Sequence, residues 1–128
     1  MALHKDLPIY KAAYDLLGVA VEITKNFPRD FKRLMGDKVR EECVDIIVII
    51  FNANVAFNKI SHIELLLQRL QVIELLLRLS CDKRFISRRQ YAEVIEITDS
   101  IGKQAMGWKK HQAVPPAVEP PRQLDLCD

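Results

Sequence analysis

The sequence contains few of the residues that build common catalytic and metal sites. Glycine occurs 4 times and cysteine 3 times in 128 residues, and no Gly-rich loop of the kind that cradles phosphates is present. None of His4, His62 and His111 follows a Glu by three residues, the spacing with which helical bundles bind two metals. No Ser or Cys has the neighbours of an activated nucleophile. We therefore predict no metal, no cofactor and no catalytic activity.

Long hydrophobic runs and disulfide patterns are also absent. No stretch approaches the roughly 20 apolar residues of a membrane span, and the opening residues MALHKDLP hold no apolar run of signal-peptide length. Cys43, Cys81 and Cys127 form no C-x-x-C pair, and any disulfide scheme leaves one unpaired, which suits a reducing compartment. The sequence therefore predicts a cytoplasmic protein with no membrane partner.

Apolar residues at helical spacing are the main feature that is present. The composition, 49% apolar and 28% charged, is that of a globular domain. Apolar residues recur at steps of three or four in four segments, residues 9–27, 39–57, 63–79 and 91–108. Start signals precede each segment: Asp6 with Pro8, Gly36 with Asp37, and the capping-box pairs Ser61 with Glu64 and Ser87 with Gln90. Four helices of similar length are predicted.

One segment has a competing interpretation. Residues 44–51, VDIIVIIF, are rich in β-branched side chains and also fit a strand. We favour a helix, because a lone strand would find no partner in the chain and the helical spacing continues on both sides. The predicted fold is all-α, an antiparallel up-down-up-down four-helix bundle over residues 1–112. Residues 113–128 contain VPPAVEPP and are predicted to form a disordered tail.

Two of the predicted helices carry a second apolar row on another face. In residues 63–80, IELLLQRLQVIELLLRLS, a turn of about 100° per residue separates a core row from an opposite row. A bundle covers one face of each helix, so the spare rows predict that copies of the chain associate as a homo-oligomer, which the fold prediction gives as ring-like. The alternative is one central helix that is surrounded on all sides. The predicted interface residues are Val44, Val48, Phe51 and Val55, with Leu65, Val72, Leu76 and Leu79.

Positive charge collects in two of the predicted turns. Residues 113–128 hold one Arg against three acids, so residues 1–112 carry 18 Lys and Arg against 14 Asp and Glu, a net +4. In up-down-up-down order the first and third turns lie at the same end of the bundle. We call this end the basic pole; its ten cations are Lys25, Arg29, Lys32, Arg33, Lys38, Arg40, Lys83, Arg84, Arg88 and Arg89.

The basic pole predicts binding to nucleic acid, mainly through phosphates and with little sequence discrimination. No aromatic-rich strand motif or recognition helix is visible to contact bases. Two alternatives remain open. The turn cations are merely solvated, or they belong to a structural oligomeric scaffold that binds acidic protein surfaces. An enzyme with a cryptic site is disfavoured, because Glu93, Glu96 and Asp99 have no His or nucleophile at a matching interval.

Three segments carry a resemblance to a known family. DLPIYKAAYDL (residues 6–16), ITKNFP (residues 23–28) and Asn54-Val55-Ala56 resemble the four-helix-bundle family named for a protein encoded in intervening sequences of bacterial 23S ribosomal RNA genes. That family typically continues with Glu and Gly, where this chain has Phe57 and Asn58. Within the family, the chain resembles the accessory variability determinant proteins of phage diversity-generating retroelements, including their proline-rich end.

The resemblance implies more than the residues do. It implies a basic, barrel-like homopentamer that partners the reverse transcriptase of the retroelement. It also implies binding to RNA and DNA while a template-repeat RNA is copied mutagenically into cDNA. The apolar rows argue only for association, and the number five comes from the resemblance.

Overall fold

The structure, a computed structural model, describes residues 7–113 and is all-helical over that range. The elements are α1 (Pro8–Thr24), α2 (Arg29–Phe31), a π-helical segment (Lys32–Gly36), α3 (Asp37–Val55), α4 (Ile60–Asp82) and α5 (Arg88–Ala113). No strand occurs within these residues, and VDIIVIIF lies inside α3, so the helical interpretation is confirmed. The predicted tail lies outside the described residues, apart from Ala113.

The four long helices α1, α3, α4 and α5 form a four-helix bundle. Each lies against the next along the chain, and α5 also lies against α1, so the four enclose one core. The core consists mainly of apolar side chains from the four predicted segments, joined by Met35 and Ile86 from the connections. Burying these side chains is the main force that holds the helices together. The largest fully buried apolar side chains of the core are Leu16, Val39, Ile46, Ile50, Ile63, Leu66, Ile73, Leu77, Val94 and Ile101.

The helix starts follow the predicted signals at two points and depart from them at a third. Pro8 is the first residue of α1. Ser87 and Gln90 form a reciprocal capping box with bonds of 2.8 and 3.0 Å. The capping box predicted at Ser61 is wrong, because α4 begins at Ile60 and its N–H donates to Asn58 Oδ1 at 3.1 Å. Asn58, two residues before the helix, supplies the acceptor that Ser61 was expected to supply.

The ends of α3 also differ from the prediction. No break occurs at Gly36, since the π-helical segment leads directly into Asp37. At the other end α3 stops at Val55. Phe57, the last residue of the predicted apolar segment, therefore lies outside the helix and is 100% exposed. Lys59 Nζ donates to three carbonyls at this end, those of Ala53, Asn54 and Ala56, at 2.8 to 3.2 Å. These charge-assisted bonds satisfy carbonyls that the last turn of a helix leaves without partners.

A buried carboxylate ties α3 to α4. Glu42 is 1% exposed and lies between two cations, Lys38 Nζ at 3.0 Å and Arg69 Nη1 at 3.2 Å. A buried charge is tolerated only when it is paired in this way. Because Arg69 belongs to α4, the pair fixes the position of α4 beside the first two turns of α3, next to the segment that carries the π helix.

Candidate nucleic-acid interface

Three phenylalanine rings join the two basic turns. Phe27 and Phe31 follow α1, and Phe85 follows α4. The ring centroid of Phe85 lies 5.5 Å from that of Phe27 and 4.9 Å from that of Phe31, within the range of favourable aromatic contacts. Phe27 is buried in the core. The segment after α1 and the segment after α4 are therefore in direct contact, and their cations flank one aromatic cluster.

The end of α4 turns Phe85 towards this cluster. Arg84 N–H bonds to the Cys81 carbonyl at 3.0 Å and Phe85 N–H bonds to the Ser80 carbonyl at 2.8 Å, the bond pair of a Schellman motif. The residue in the left-handed position of this motif is Arg84, with φ 65°. Glycine is the usual residue there, because a Cβ is strained in this conformation. The sequence thus places an arginine where backbone geometry favours glycine.

The other basic turn is built around the π-helical segment. The N–H groups of Phe31 and Lys32 both donate to the Pro28 carbonyl, at 2.9 and 2.8 Å. The π-helical segment exposes Lys32 and Arg33 and buries Met35 and Gly36. A Cβ on Gly36 would lie 3.3 Å from Arg40 Nη1. Glycine therefore leaves room for the Arg40 side chain against the end of α1.

Three of the ten predicted cations have partners within the fold. Lys25 pairs with Glu22 at 2.8 Å, and Lys38 pairs with the buried Glu42. Arg40 pairs with Asp37 and donates to Thr24 Oγ1 at 2.6 Å. These cations are partly neutralised, so they contribute less to an external field, and Arg40 also joins the start of α3 to the end of α1.

The other seven cations are exposed and pair with no carboxylate of the described residues. They occur on both sides of the aromatic cluster, and Asp30, Asp37 and Asp82 are the acids of the same two turns. A surface with this excess attracts anions strongly at low salt. We call this set the free cations: Arg29, Lys32, Arg33, Lys83, Arg84, Arg88 and Arg89.

An open groove of about 620 Å³ lies beside the second basic turn. Arg84 and Arg88 line it together with Phe85, whose ring also contacts Phe31. Ser87 and Gln90 line it too, and the side-chain oxygen of each accepts the backbone N–H of the other in the capping box. The groove therefore combines two cations and Phe85 with one carboxylate, Asp82.

The aromatic residues are the part of this site that sequence reasoning missed. Each basic turn contains a phenylalanine beside a Lys-Arg pair, in Phe31-Lys32-Arg33 and in Lys83-Arg84-Phe85. This interleaving of aromatic and basic residues is a signal for nucleic-acid binding that a search for strand motifs overlooks. Phe31 is 38% exposed, and Leu34 in the same segment is 70% exposed.

The predicted interface rows lie on the outer faces of α3 and α4, which are neighbours. Val44, Val48, Phe51 and Val55 are 43% to 54% exposed. On α4, Leu65 and Leu79 are exposed, whereas Val72 and Leu76 are half-buried and Leu76 packs against the core. Leu75, which was not predicted, is also exposed. The single chain therefore leaves apolar side chains exposed on both of these helices, and we call these residues the uncovered strip.

The described residues offer little to covalent or metal chemistry. Burial raises the pKa of the Cys43 thiol to about 12, and the nearby Glu42 charge adds to the shift, so the thiol stays protonated. No group of three or more His, Cys, Asp or Glu side chains within residues 7–112 has metal-binding geometry. Across the same part of the chain, no helix is long and apolar enough to cross a membrane.

The comparison with known families gives one match. A family model described as bAvd-like matches residues 7–112, a range that contains the four long helices and both basic turns. A search of curated proteins and a search of solved structures each find no match. Because the family model covers most of the 128 residues, the chain belongs to the bAvd-like family.

Proposed function

We propose that the protein is a non-catalytic accessory protein of a diversity-generating retroelement, which binds nucleic acid and the reverse transcriptase of the element. Membership of the bAvd-like family supports the accessory role. The observation that carries nucleic-acid binding is the set of seven free cations on two turns that Phe31 and Phe85 hold together. In this role the protein supports mutagenic copying of a template RNA into cDNA, in the cytoplasm of the bacterial host.

Electrostatics sets the expected mode of binding. Cations on turns meet phosphates without a fixed register on base edges, so RNA and DNA are bound largely through the backbone. Each phosphate that a Lys or Arg neutralises releases counterions, and the affinity therefore falls steeply as salt rises. The three cations that already have carboxylate partners contribute less than the seven free cations.

Assembly into an oligomer would multiply the positive field of the basic pole. Short connections between neighbouring helices favour the antiparallel up-down-up-down order, which is also the order that places the first and third turns together. The uncovered strip on α3 and α4 supports a ring-like homo-oligomer, and the family resemblance suggests a pentamer. Five folded domains of +4 would carry about +20, a strong field for polyanions.

The same cations would also attract acidic protein. A structural oligomeric scaffold whose basic pole binds acidic protein surfaces is therefore the second candidate function. RNA binding by the protein alone distinguishes the two candidates, because a nucleic-acid binder retains RNA in the absence of any other protein.

The test compares charge reversal at the basic pole with the same reversal elsewhere. The test variant carries Arg84→Glu, Arg88→Glu and Arg89→Glu; the control carries Lys11→Glu, Lys103→Glu and Lys110→Glu, which are also exposed. Filter binding to purified RNA over a range of salt should show weaker binding for the test variant. Its log K against log salt slope should be flatter by roughly 2, about 0.7 per lost contact to a single strand.

A pull-down with the reverse transcriptase, repeated with both variants, then shows whether the basic pole binds the enzyme, RNA or both. Loss of RNA binding in the test variant alone supports the proposal. Unchanged RNA affinity in the test variant, or no salt-dependent binding by the unaltered protein, would reject it. Capture of acidic protein without any RNA binding would favour the scaffold.

A further inference from the structure

The basic pole exposes apolar groups that the core does not use. Phe31 is 38% exposed although its ring contacts Phe85, and Leu34, three residues later, is 70% exposed. Arg29, Lys32 and Arg33, three of the free cations, lie in the same short segment. Phosphate binding alone does not require an aromatic ring at this place, since cations suffice for it.

Bases are the part of a nucleic acid that an exposed ring can contact. A duplex hides the faces of its bases in the stack, whereas a single strand exposes them. Proteins that bind single strands without sequence preference combine a positively charged groove with aromatic rings on which bases stack. The basic pole has both features within one contact distance, because the Phe85 ring lines the groove and lies 4.9 Å from Phe31.

We propose that Phe31 and Phe85 form a stacking platform through which the basic pole selects single-stranded polynucleotides over duplexes. This inference rests on the proposed function and assigns its substrate class. Arg84 and Arg88 line the groove beside Phe85 and bind the phosphates of the strand whose bases meet the rings.

The groove also accounts for low sequence preference. Ser87 Oγ accepts from Gln90 N–H at 3.0 Å, and Gln90 Oε1 accepts from Ser87 N–H at 2.8 Å. The side-chain oxygen of each residue therefore accepts a bond within the helix cap. Stacking is tolerant of sequence because every base has an aromatic face. The platform thus distinguishes one strand from two and does not distinguish one base from another.

The experiment uses conservative changes at Phe31 and a matched change at the far end of the bundle. Phe31→Leu keeps apolar volume beside Phe85 but removes the aromatic face, and Phe31→Tyr keeps the face. Phe57→Leu is the control, since Phe57 is fully exposed in the turn between α3 and α4. The probes are a mixed-sequence single-stranded RNA, a single-stranded DNA of the same sequence, and the corresponding duplexes, each with one fluorescent base analogue.

The unaltered protein should bind both single strands more tightly than the duplexes and quench the base analogue. Phe31→Leu should weaken single-strand binding by roughly tenfold, the loss typical of one base–aromatic stack. It should leave duplex affinity and the salt slope unchanged. Phe31→Tyr and Phe57→Leu should match the unaltered protein in every probe.

Three results would overturn the stacking platform while leaving phosphate binding intact. One is equal affinity of the unaltered protein for single strands and duplexes. Another is an equal loss on both probes for Phe31→Leu, which would mean that the ring only maintains the fold. The third is a Phe31→Leu variant that binds RNA normally but no longer captures the reverse transcriptase, which would assign the rings to a protein partner. Absence of any salt-dependent binding by the unaltered protein would instead reject the proposed function itself.

Discussion

At the scale of single residues, Arg84 is the clearest case in which stability favours one residue type and binding favours another. Its φ of 65° lies in the left-handed region, which costs a residue with a Cβ roughly 1 kcal/mol or more. Glycine would satisfy the Schellman motif at α4 without that strain. The guanidinium lines the groove beside Phe85, so the side chain has a use that glycine lacks.

Arg84→Gly should therefore stabilise the fold and weaken nucleic-acid binding in the same protein. We expect the free energy of unfolding to rise by up to about 1 kcal/mol in urea titrations, because backbone strain is relieved. Filter binding at moderate salt should show a lower affinity for single-stranded RNA, with a flatter salt slope. A variant that is both less stable and normal in binding would contradict the role assigned to Arg84.

Glu42 is the second residue whose environment makes a sharp prediction. Removing its carboxylate leaves Lys38 and Arg69 without their shared partner and opens a gap between α3 and α4. Glu42→Ala should lower the free energy of unfolding by about 2 kcal/mol, a typical value for hydrogen bonds to a charged group. The neighbouring Glu41 is exposed, so Glu41→Ala should change it by less than about 0.5 kcal/mol. Equal effects in chemical denaturation would show that the buried pair is not a stabilising contact.

At the scale of elements, two similar sequence signals had different outcomes. Ser87-x-x-Gln90 forms the expected capping box, whereas Ser61-x-x-Glu64 lies inside α4. The difference lies in the residues upstream. Asn58 accepts a bond from the N–H of Ile60, and Lys59 binds the end of α3. The short turn therefore fixes the start of α4 at Ile60, one residue before Ser61. The sequence pattern alone does not reveal whether Asn58 or Ser61 caps the helix.

This difference can be measured with three alanine substitutions. Ser87→Ala should cost about 1 kcal/mol of stability, because a helix N-terminus loses its side-chain cap. Asn58→Ala should have a comparable cost, whereas Ser61→Ala should be within about 0.5 kcal/mol of the unaltered protein. Thermal or urea unfolding of the three variants checks the order. A large effect at Ser61 with none at Asn58 would contradict the observed start of α4.

The segment between α1 and α3 marks the limit of element-level prediction. Gly36 and Asp37 looked like a break followed by a new cap, but the chain continues through a π-helical turn. Propensities act over a few residues and do not specify a wider turn. Here Pro28, the Arg40 contacts with Asp37 and Thr24, and the packing of Phe27 and Phe31 on Phe85 set its shape. Most of those contacts join residues that are far apart in sequence.

At the scale of the whole molecule, periodicity was sufficient to predict the class of fold. Apolar residues at helical spacing in the four predicted helices supply most of the core, since their spacing is set by helix geometry, whereas Met35 and Ile86 join it from the connections. The candidate site was only partly predictable. The ten cations followed from composition and topology, but their division into paired and free members depends on side-chain distances. The link from Phe31 to Phe85 crosses more than fifty residues of sequence, and only the folded chain displays it.

The uncovered strip along α3 and α4 makes a prediction for assembly. The unaltered protein should scatter light as a particle several times larger than the 14.8 kDa chain. Val48→Lys with Leu79→Lys places charges in the strip and should shift the particle towards a single chain, because burying them costs more than the apolar contact returns. Ser61→Lys with Ser100→Lys adds equal charge at exposed polar positions and should leave the size unchanged. A 14.8 kDa particle for the unaltered protein at micromolar concentration would exclude the oligomer.

The central claim is that two turns distant in sequence form one surface for nucleic acid. Photochemical cross-linking of bromouridine-containing single-stranded RNA, followed by mass spectrometry of the peptides, tests it most directly. Cross-links should fall in both residues 29–34 and residues 83–89, and they should disappear together at high salt. Cross-links confined to the turn at residues 56–59, or to only one of the two basic turns, would contradict the claim.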